Sequence, residues 1–128
     1  MATIGDTFLL AKPDINNHLF VIISDPSQDS DHIVTANFTS WRADKDQGCI
    51  VEPREHAFIV HRSCVHYAED HLISLAQYQR FMASGSIFAR DPVDGPLLRR
   101  ILAGAAVSPF MPMGNRHILV QQGLIDGG

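Results

Sequence analysis

The chain has 128 residues, of which 45% are hydrophobic and 19% charged, with a formal net charge of −4 at pH 7. This composition predicts a single globular domain and excludes an intrinsically disordered chain, which would be poorer in apolar residues and richer in charge. No apolar run approaches the roughly 18 residues of a membrane span, and the start of the chain does not have the pattern of a secretory signal. We therefore expect no membrane association and a cytoplasmic location.

The basic residues are few but are mostly of one kind. Eight of the ten are Arg, which makes bidentate contacts with phosphate and carboxylate groups. Most nucleic-acid-binding proteins carry a basic surface, which the whole chain does not have. A local phosphate-binding patch is still compatible with this composition.

Short apolar runs in the first 73 residues predict a series of strands. The predicted strands cover residues 6–11, 18–24, 32–38, 49–51, 58–61 and 65–68. Their spacing of roughly ten residues is typical of a small sandwich or barrel. Polar and Pro-containing segments separate them, beginning with a turn at Asn16–Asn17.

After residue 73 the hydrophobic period becomes helical. Ser74 and Gln77 match a capping box, and Gly85 is a typical helix stop, which predicts a helix between them. Further helices are predicted over 96–106, with an apolar stripe, and over 115–123. We expect a mainly β fold in residues 1–73 and a helical extension in residues 74–128 that packs on it within one structural domain.

Three segments of the β part carry a family pattern. They are Gly5-Asp6 at the opening of the first strand, the run His18–Pro26, and Asn37-Phe38-Thr39-Ser40-Trp41. Together they resemble toxins of the PemK/MazF type, and the block Glu55–Ser63 is similar to that of a divergent branch of PemK-like proteins. The resemblance covers about residues 5–70. It implies an SH3-like small β-barrel, often a homodimer, which cleaves single-stranded RNA without a metal or other cofactor and has an antitoxin protein as its partner.

The resemblance also implies where the catalytic groups lie. In the family, an Arg at the head of the second strand stabilises charge on the reacting phosphate, and a Thr or Ser after the third strand positions it. Leu19 stands at the Arg position in this chain, whereas Thr39 and Ser40 fill the hydroxyl position. We expect His18 or His61 to act as acid or base, because imidazole exchanges protons near neutral pH.

Aromatic and basic residues beside these positions are candidate RNA contacts. Trp41 next to Arg42 suits stacking on a base, with a place in the core or at an interface as the alternative. Arg54 or Arg62 would supply the missing phosphate contact from another strand, or would be solvated or ion-paired.

A polar cluster is predicted around the fifth and sixth strands. His61, Ser63 and Tyr67 share a strand parity, so they would line a substrate pocket or satisfy one another's hydrogen bonds. A β-bulge would change this assignment.

Metal and thiol chemistry find little support in the spacing of their residues. Four histidines recur every five residues: His56, His61, His66 and His71. That spacing alternates the faces of a strand and turns a helix by about 140°, and no HExxH motif is present, so we expect no metal. Cys49 and Cys64 form no CxxC motif and are expected to be reduced, apolar residues.

Two functions follow from these observations. The first is a toxin-related, metal-independent endoribonuclease, in which the 2′-hydroxyl of single-stranded RNA attacks the adjacent phosphate. The alternative is a catalytically inactive PemK-like module that binds a protein or nucleic-acid partner. Leu19 and the net charge of −4 favour the binding module, whereas the group of His, Thr, Ser and Arg residues favours the nuclease.

Overall fold

A computed structural model describes residues 2–11 and 18–127, apart from the side chains of residues 69 and 70. The strands are β1 (Thr7–Leu10), β2 (Leu19–Ile22), β3 (Ile33–Ser40), β4 (Ile50–Val51), β5 (Ser63–Ile73) and β6 (Ile87–Arg90). The helices are α1 (Leu75–Ala83), α2 (Gly95–Val107) and α3 (Met113–Gln121). The turn predicted at Asn16–Asn17 lies outside the described residues.

The strands form one antiparallel sheet in the order β4-β5-β3-β2-β1-β6. The edges, β4 and β6, do not pair with each other, so the sheet is not closed over the part of the chain that the structure describes. The prediction of a mainly β fold followed by helices is confirmed. β1 to β4 form within two residues of their predicted bounds, because their apolar runs are bounded by clear turn signals.

The structure differs from the prediction around β5. Residues 58–61 are turn and irregular chain rather than a strand, and β5 has eleven residues where only 65–68 was expected. Its register against β3 shifts between Thr35, which opposes His71, and Asn37, which opposes His66. A bulge of this kind accommodates additional residues in one of two paired strands.

β6 was not predicted, and it lies within the segment expected to be helical. It pairs with β1 along its whole length, from Thr7 opposite Arg90 to Leu10 opposite Ile87. Only Ile87 of its side chains is buried, and its three consecutive apolar residues do not show the alternation of a half-buried strand. The sheet therefore continues across the boundary expected at residue 73.

The helices form for the reasons that predicted them. The Ser74 Oγ accepts from the Gln77 backbone N–H at 3.1 Å, and the Gln77 Oε1 accepts from the Ser74 N–H at 2.9 Å, which completes the capping box of α1. Gly85 has a φ of +76°, where a glycine ends a helix without steric strain. The stripe on α2 is confirmed, since Leu97 and Ile101 are buried. None of the helices in the described residues is long and apolar enough to cross a membrane.

The strands bury different residues on the two faces of the sheet. The larger core lies between one face and the helices α2 and α3, and it includes Leu19, Val21, Val65, Tyr67, Leu97, Ile101 and Leu119. A smaller cluster lies under α1 on the other face, where Phe8 stacks on Phe20 and meets Tyr78 edge-on. Because side chains alternate along a strand, neighbouring residues of β1 and β2 serve the two cores in turn.

Candidate functional site

A cavity of about 210 Å³ lies at one end of the sheet, and we call it the strand-end cavity. Its polar lining residues are His18, Thr39, Ser40, His61 and Ser63, and its apolar ones are Leu19, Phe38, Phe58, Ile59 and Val60. Antiparallel pairing explains this meeting, because the start of β2 and the start of β5 both lie beside the end of β3. The structure thus brings all four predicted catalytic residues to one place.

Ser40 and His61 form a hydrogen bond at the cavity, with 2.8 Å between the Ser40 Oγ and the His61 Nε2. Ser40 is the last residue of β3 and pairs with Ser63, the first residue of β5. His61 lies two residues before β5, so its ring reaches back to the end of the neighbouring strand. A hydroxyl and an imidazole at this distance can exchange a proton.

His18 lies just before β2, and its Nδ1 is 3.0 Å from the carbonyl oxygen of Phe38. Because a carbonyl oxygen only accepts, Nδ1 carries the hydrogen in the neutral ring, and Nε2 keeps its lone pair. His18 is therefore held in the tautomer whose Nε2 can accept a proton from a bound molecule.

The other hydroxyl groups of the cavity differ in their surroundings. Ser63 is buried, and its Oγ donates to the carbonyl oxygen of His61 at 3.0 Å, so it shapes the turn that leads into β5. Thr39 is half-buried and lines the cavity beside Ser40. Ser40 is exposed, which makes it the hydroxyl most open to a ligand.

Trp41 and Arg62 form a stacked pair beside the cavity, with the Arg62 Cζ 5.4 Å from the centre of a Trp41 ring. The Arg62 Nε also donates to the Glu52 carboxylate at 3.0 Å. Neither residue lines the strand-end cavity. The structure thus agrees with the ion-paired alternative for Arg62, and one face of Trp41 is already occupied.

The remaining candidate Arg residues also lie outside the cavity. Arg42 is exposed and pairs with Asp44 at 3.4 Å. Arg54 is exposed at a turn with a φ of 76°, and its backbone N–H donates to the Ile59 carbonyl at 3.0 Å. Among the described residues that line the cavity there is no Lys or Arg.

Tyr67 does not join the predicted polar cluster, which is a correction. Its side chain is fully buried in the larger core, and its hydroxyl donates to the Ile101 carbonyl of α2 at 2.6 Å. His61 precedes β5 and has no strand parity with Tyr67, so the alternation that linked the two residues does not apply.

Leu19 shows why an Arg is absent from the site. It is 1% exposed and belongs to the larger core, although it also contributes to the cavity lining. A charged guanidinium at this position would lose its hydration without a partner, which is costly. Position 19 is therefore a core position in this fold.

Other reactive groups do not add to the site. Burial raises the pKa of Cys49 to about 11 and also raises the pKa of Cys64, so neither thiol is an activated nucleophile near neutral pH. In residues 2–11 and 18–127, with the side chains of residues 69 and 70 left aside, no group of three His, Cys, Asp or Glu residues could hold a metal ion.

Two parts of the site were not recognised from the sequence. The wall of Phe58, Ile59 and Val60 was predicted as a strand, because an apolar run of this length is ambiguous without its tertiary neighbours. The periodic series of histidines does not predict the surroundings of His56, which is 6% exposed and has both of its ring nitrogens hydrogen-bonded. Pro53, three residues earlier, was the available signal that this segment turns.

A scan against protein-family models and a search of curated proteins find no match to the chain. Family and activity are therefore proposals that rest on the segments resembling PemK/MazF toxins and on the strand-end cavity.

Proposed function

We propose that the chain is a toxin-related endoribonuclease of the PemK/MazF type that cleaves single-stranded RNA without a metal. The observation that carries this proposal is the meeting of His18, Ser40 and His61 at one cavity from three separate segments of the chain. The proposal includes the family's SH3-like barrel, a homodimer and an antitoxin partner. The resemblance supports all three, and the antiparallel sheet is an additional argument for the barrel alone.

Metal-independent cleavage requires one group to remove a proton and another to donate one. The His18 Nε2 takes the proton of the 2′-hydroxyl, because the Phe38 carbonyl holds the hydrogen of the neutral ring on Nδ1. The 2′-oxygen then bonds to phosphorus, and the bond from phosphorus to the 5′-oxygen breaks. Protonated His61 donates to the leaving 5′-oxygen, which leaves a 2′,3′-cyclic phosphate and a 5′-hydroxyl.

The remaining cavity groups orient the RNA. The Thr39 and Ser40 hydroxyls donate to phosphate oxygens, and the exposed faces of Phe58 and Val60 offer an apolar surface to a base. Because there is no Arg among the described lining residues, the protonated rings of His18 and His61 are the cations available to the developing charge. We therefore expect slow turnover.

The test is a cleavage assay on a long single-stranded RNA in excess EDTA. We expect the wild type to produce 2′,3′-cyclic ends and His18→Ala or His61→Ala to lower the rate by at least about 100-fold, the usual contribution of an acid or base. His32→Ala is the matched control, because His32 is exposed and pairs only locally with Asp29. No cleavage by the wild type would contradict the proposal. Cleavage at the wild-type rate by a variant that carries both His18→Ala and His61→Ala would contradict it as well.

The binding module remains a second candidate because a specific observation favours it. Leu19 is buried, and Arg62 is ion-paired with Glu52, so neither position offers a free cation to a reacting phosphate. A fluorescence anisotropy titration with a labelled single-stranded RNA distinguishes the candidates. Binding that the His18→Ala, His61→Ala variant retains, together with intact RNA in every sample, would favour the module.

A further inference from the structure

Hydrogen bonds of the His56 side chain join the connection between β4 and β5 to the chain that follows β6, at the opposite edge of the sheet. The backbone N–H of Phe58 donates to the His56 Nδ1 at 3.0 Å. The His56 Nε2 is hydrogen-bonded to the carbonyl oxygen of Asp91, which directly follows β6. The Thr7 hydroxyl donates to the same carbonyl at 2.6 Å, so this contact point is tied to β1 as well.

These partners determine the protonation state of the His56 ring. A backbone N–H only donates, so Nδ1 must keep its lone pair, and a carbonyl oxygen only accepts, so Nε2 must carry the hydrogen. The bound ring is therefore the neutral Nε2–H tautomer. A second proton would sit on Nδ1 and face the Phe58 N–H, which breaks that hydrogen bond and sets two donors against each other.

The segment held by His56 is one wall of the strand-end cavity. Residues 58–61 begin two positions after His56, and each of them lines that cavity. Only Ile59 in this wall is buried, and the backbone bonds of Ile59 to His56 and Arg54, both at 3.0 Å, are local. Apart from His56, the wall is joined to the body of the protein by Ile59, which packs in the larger core, and by the hydrogen bond between His61 and Ser40.

We propose that His56 is a proton-sensitive clasp that positions this wall, and with it His61. While the ring is neutral, its hydrogen bond to Phe58 holds the wall in place. When the ring is protonated, that hydrogen bond is lost, the wall moves away and the cavity opens. His56 is a positioning residue, since it does not itself line the strand-end cavity. The clasp operates with or without RNA, so it does not depend on the proposed ribonuclease activity.

Charged residues of the neighbouring elements lie close to His56. Arg90 and Asp91 line a second cavity, of about 490 Å³, together with His56 and Phe58. The charges of the Asp91 and Arg90 side chains are opposite in sign. Glu55, next to His56 in the chain, is ion-paired with Arg100 of α2, so its charge is largely compensated.

Amide hydrogen exchange of Phe58 and Ile59 in the full chain tests the clasp, with each rate expressed relative to an unstructured peptide at the same pH. We expect this protection to fall by about tenfold or more between pH 8 and pH 5, where imidazole ordinarily takes its second proton. Long-range nitrogen–proton spectra at pH 8 should show His56 as the Nε2–H tautomer. Protection that does not change with pH, or the Nδ1–H tautomer, would overturn the proposal.

Two substitutions of His56 test its hydrogen bond to Phe58 and its hydrogen bond to Asp91 separately. His56→Asn keeps an acceptor for an N–H two residues on, as in an Asx turn, and cannot be protonated, so Phe58 protection should no longer depend on pH. His56→Gln keeps a donor towards Asp91 but no acceptor near Nδ1, so Phe58 should be weakly protected at both pH values. The control His32→Asn, in an exposed loop, should keep the wild-type pH dependence. Wild-type behaviour of His56→Asn would overturn the clasp.

Discussion

The larger core and the strand-end cavity hold their residues in different ways. In the core, the Tyr67 hydroxyl donates to Ile101, and the chain at Gly48 approaches Gly104 of α2 so closely that no side chain fits between them. At the cavity, exposed Ser40 and His61 meet through one hydrogen bond, and the apolar wall stands partly in solvent. The core is thus held by buried contacts between the sheet and α2, whereas Ser40 and His61 lie at exposed strand ends.

We expect the largest loss of stability from a substitution that leaves a cavity in the larger core. Ile101 is fully buried, so Ile101→Ala should lower the free energy of unfolding by about 3 kcal/mol through lost burial and a residual cavity. Urea unfolding followed by circular dichroism measures this loss. Val107→Ala, at a position 72% exposed in the same helix, should change stability by less than about 0.5 kcal/mol. Equal losses in the two variants would remove the contrast between core and surface.

A smaller loss of stability is expected when a side chain is added at Gly104. A Cβ there would press against the Tyr67 hydroxyl and lie 2.6 Å from the Gly48 carbonyl oxygen. Gly104→Ala should therefore cost about 2 kcal/mol, even though alanine is the better helix former. Gly114→Ala is the matched control, since nothing lies within 4 Å of its added Cβ, and it should stabilise α3 by up to about 1 kcal/mol. A stabilised Gly104→Ala variant would show that the helix and the Gly48 turn are not in close contact.

The smallest effect is expected at Arg100, which joins the core helix to the connection that leads to the cavity. Arg100 donates to the Glu55 carboxylate and to the Ile50 carbonyl, and it holds the pKa of Glu55 below its usual value. Arg100→Ala should lower stability by about 1 kcal/mol at pH 7, because the pair is partly exposed.

The stability difference between the wild type and Arg100→Ala should depend on pH. A carboxyl whose pKa is lower in the folded state stabilises the protein above its ordinary pKa and loses that contribution as pH falls through the folded value. The ordinary value for Glu55 is 4.5, so the gap between the wild type and Arg100→Ala should narrow below that pH. Denaturant midpoints measured at pH 7 and pH 3 check this, and a gap that stays constant would assign the effect to the Ile50 contact.

The candidate site could be anticipated only in part. His18, Thr39, Ser40 and His61 were selected from a family resemblance and from the chemistry of their side chains, and they line one cavity. The burial of Ile59 in the wall and the hydrogen bond of His56 to Asp91 could not be foreseen, because both depend on contacts with distant segments. Asp91, which bonds His56, is 35 residues away in the chain.

The fold shows the same division between local and distant information. Runs of a few adjacent residues are enough to predict β1 to β4, the capping box at Ser74 and the stripe on α2, because the signal for each of them is local. β6 forms as a strand because it pairs with β1, and Tyr67 is buried because α2 covers its side of β5. Local sequence does not predict these two features, since pairing and burial depend on residues that are brought together when the chain folds.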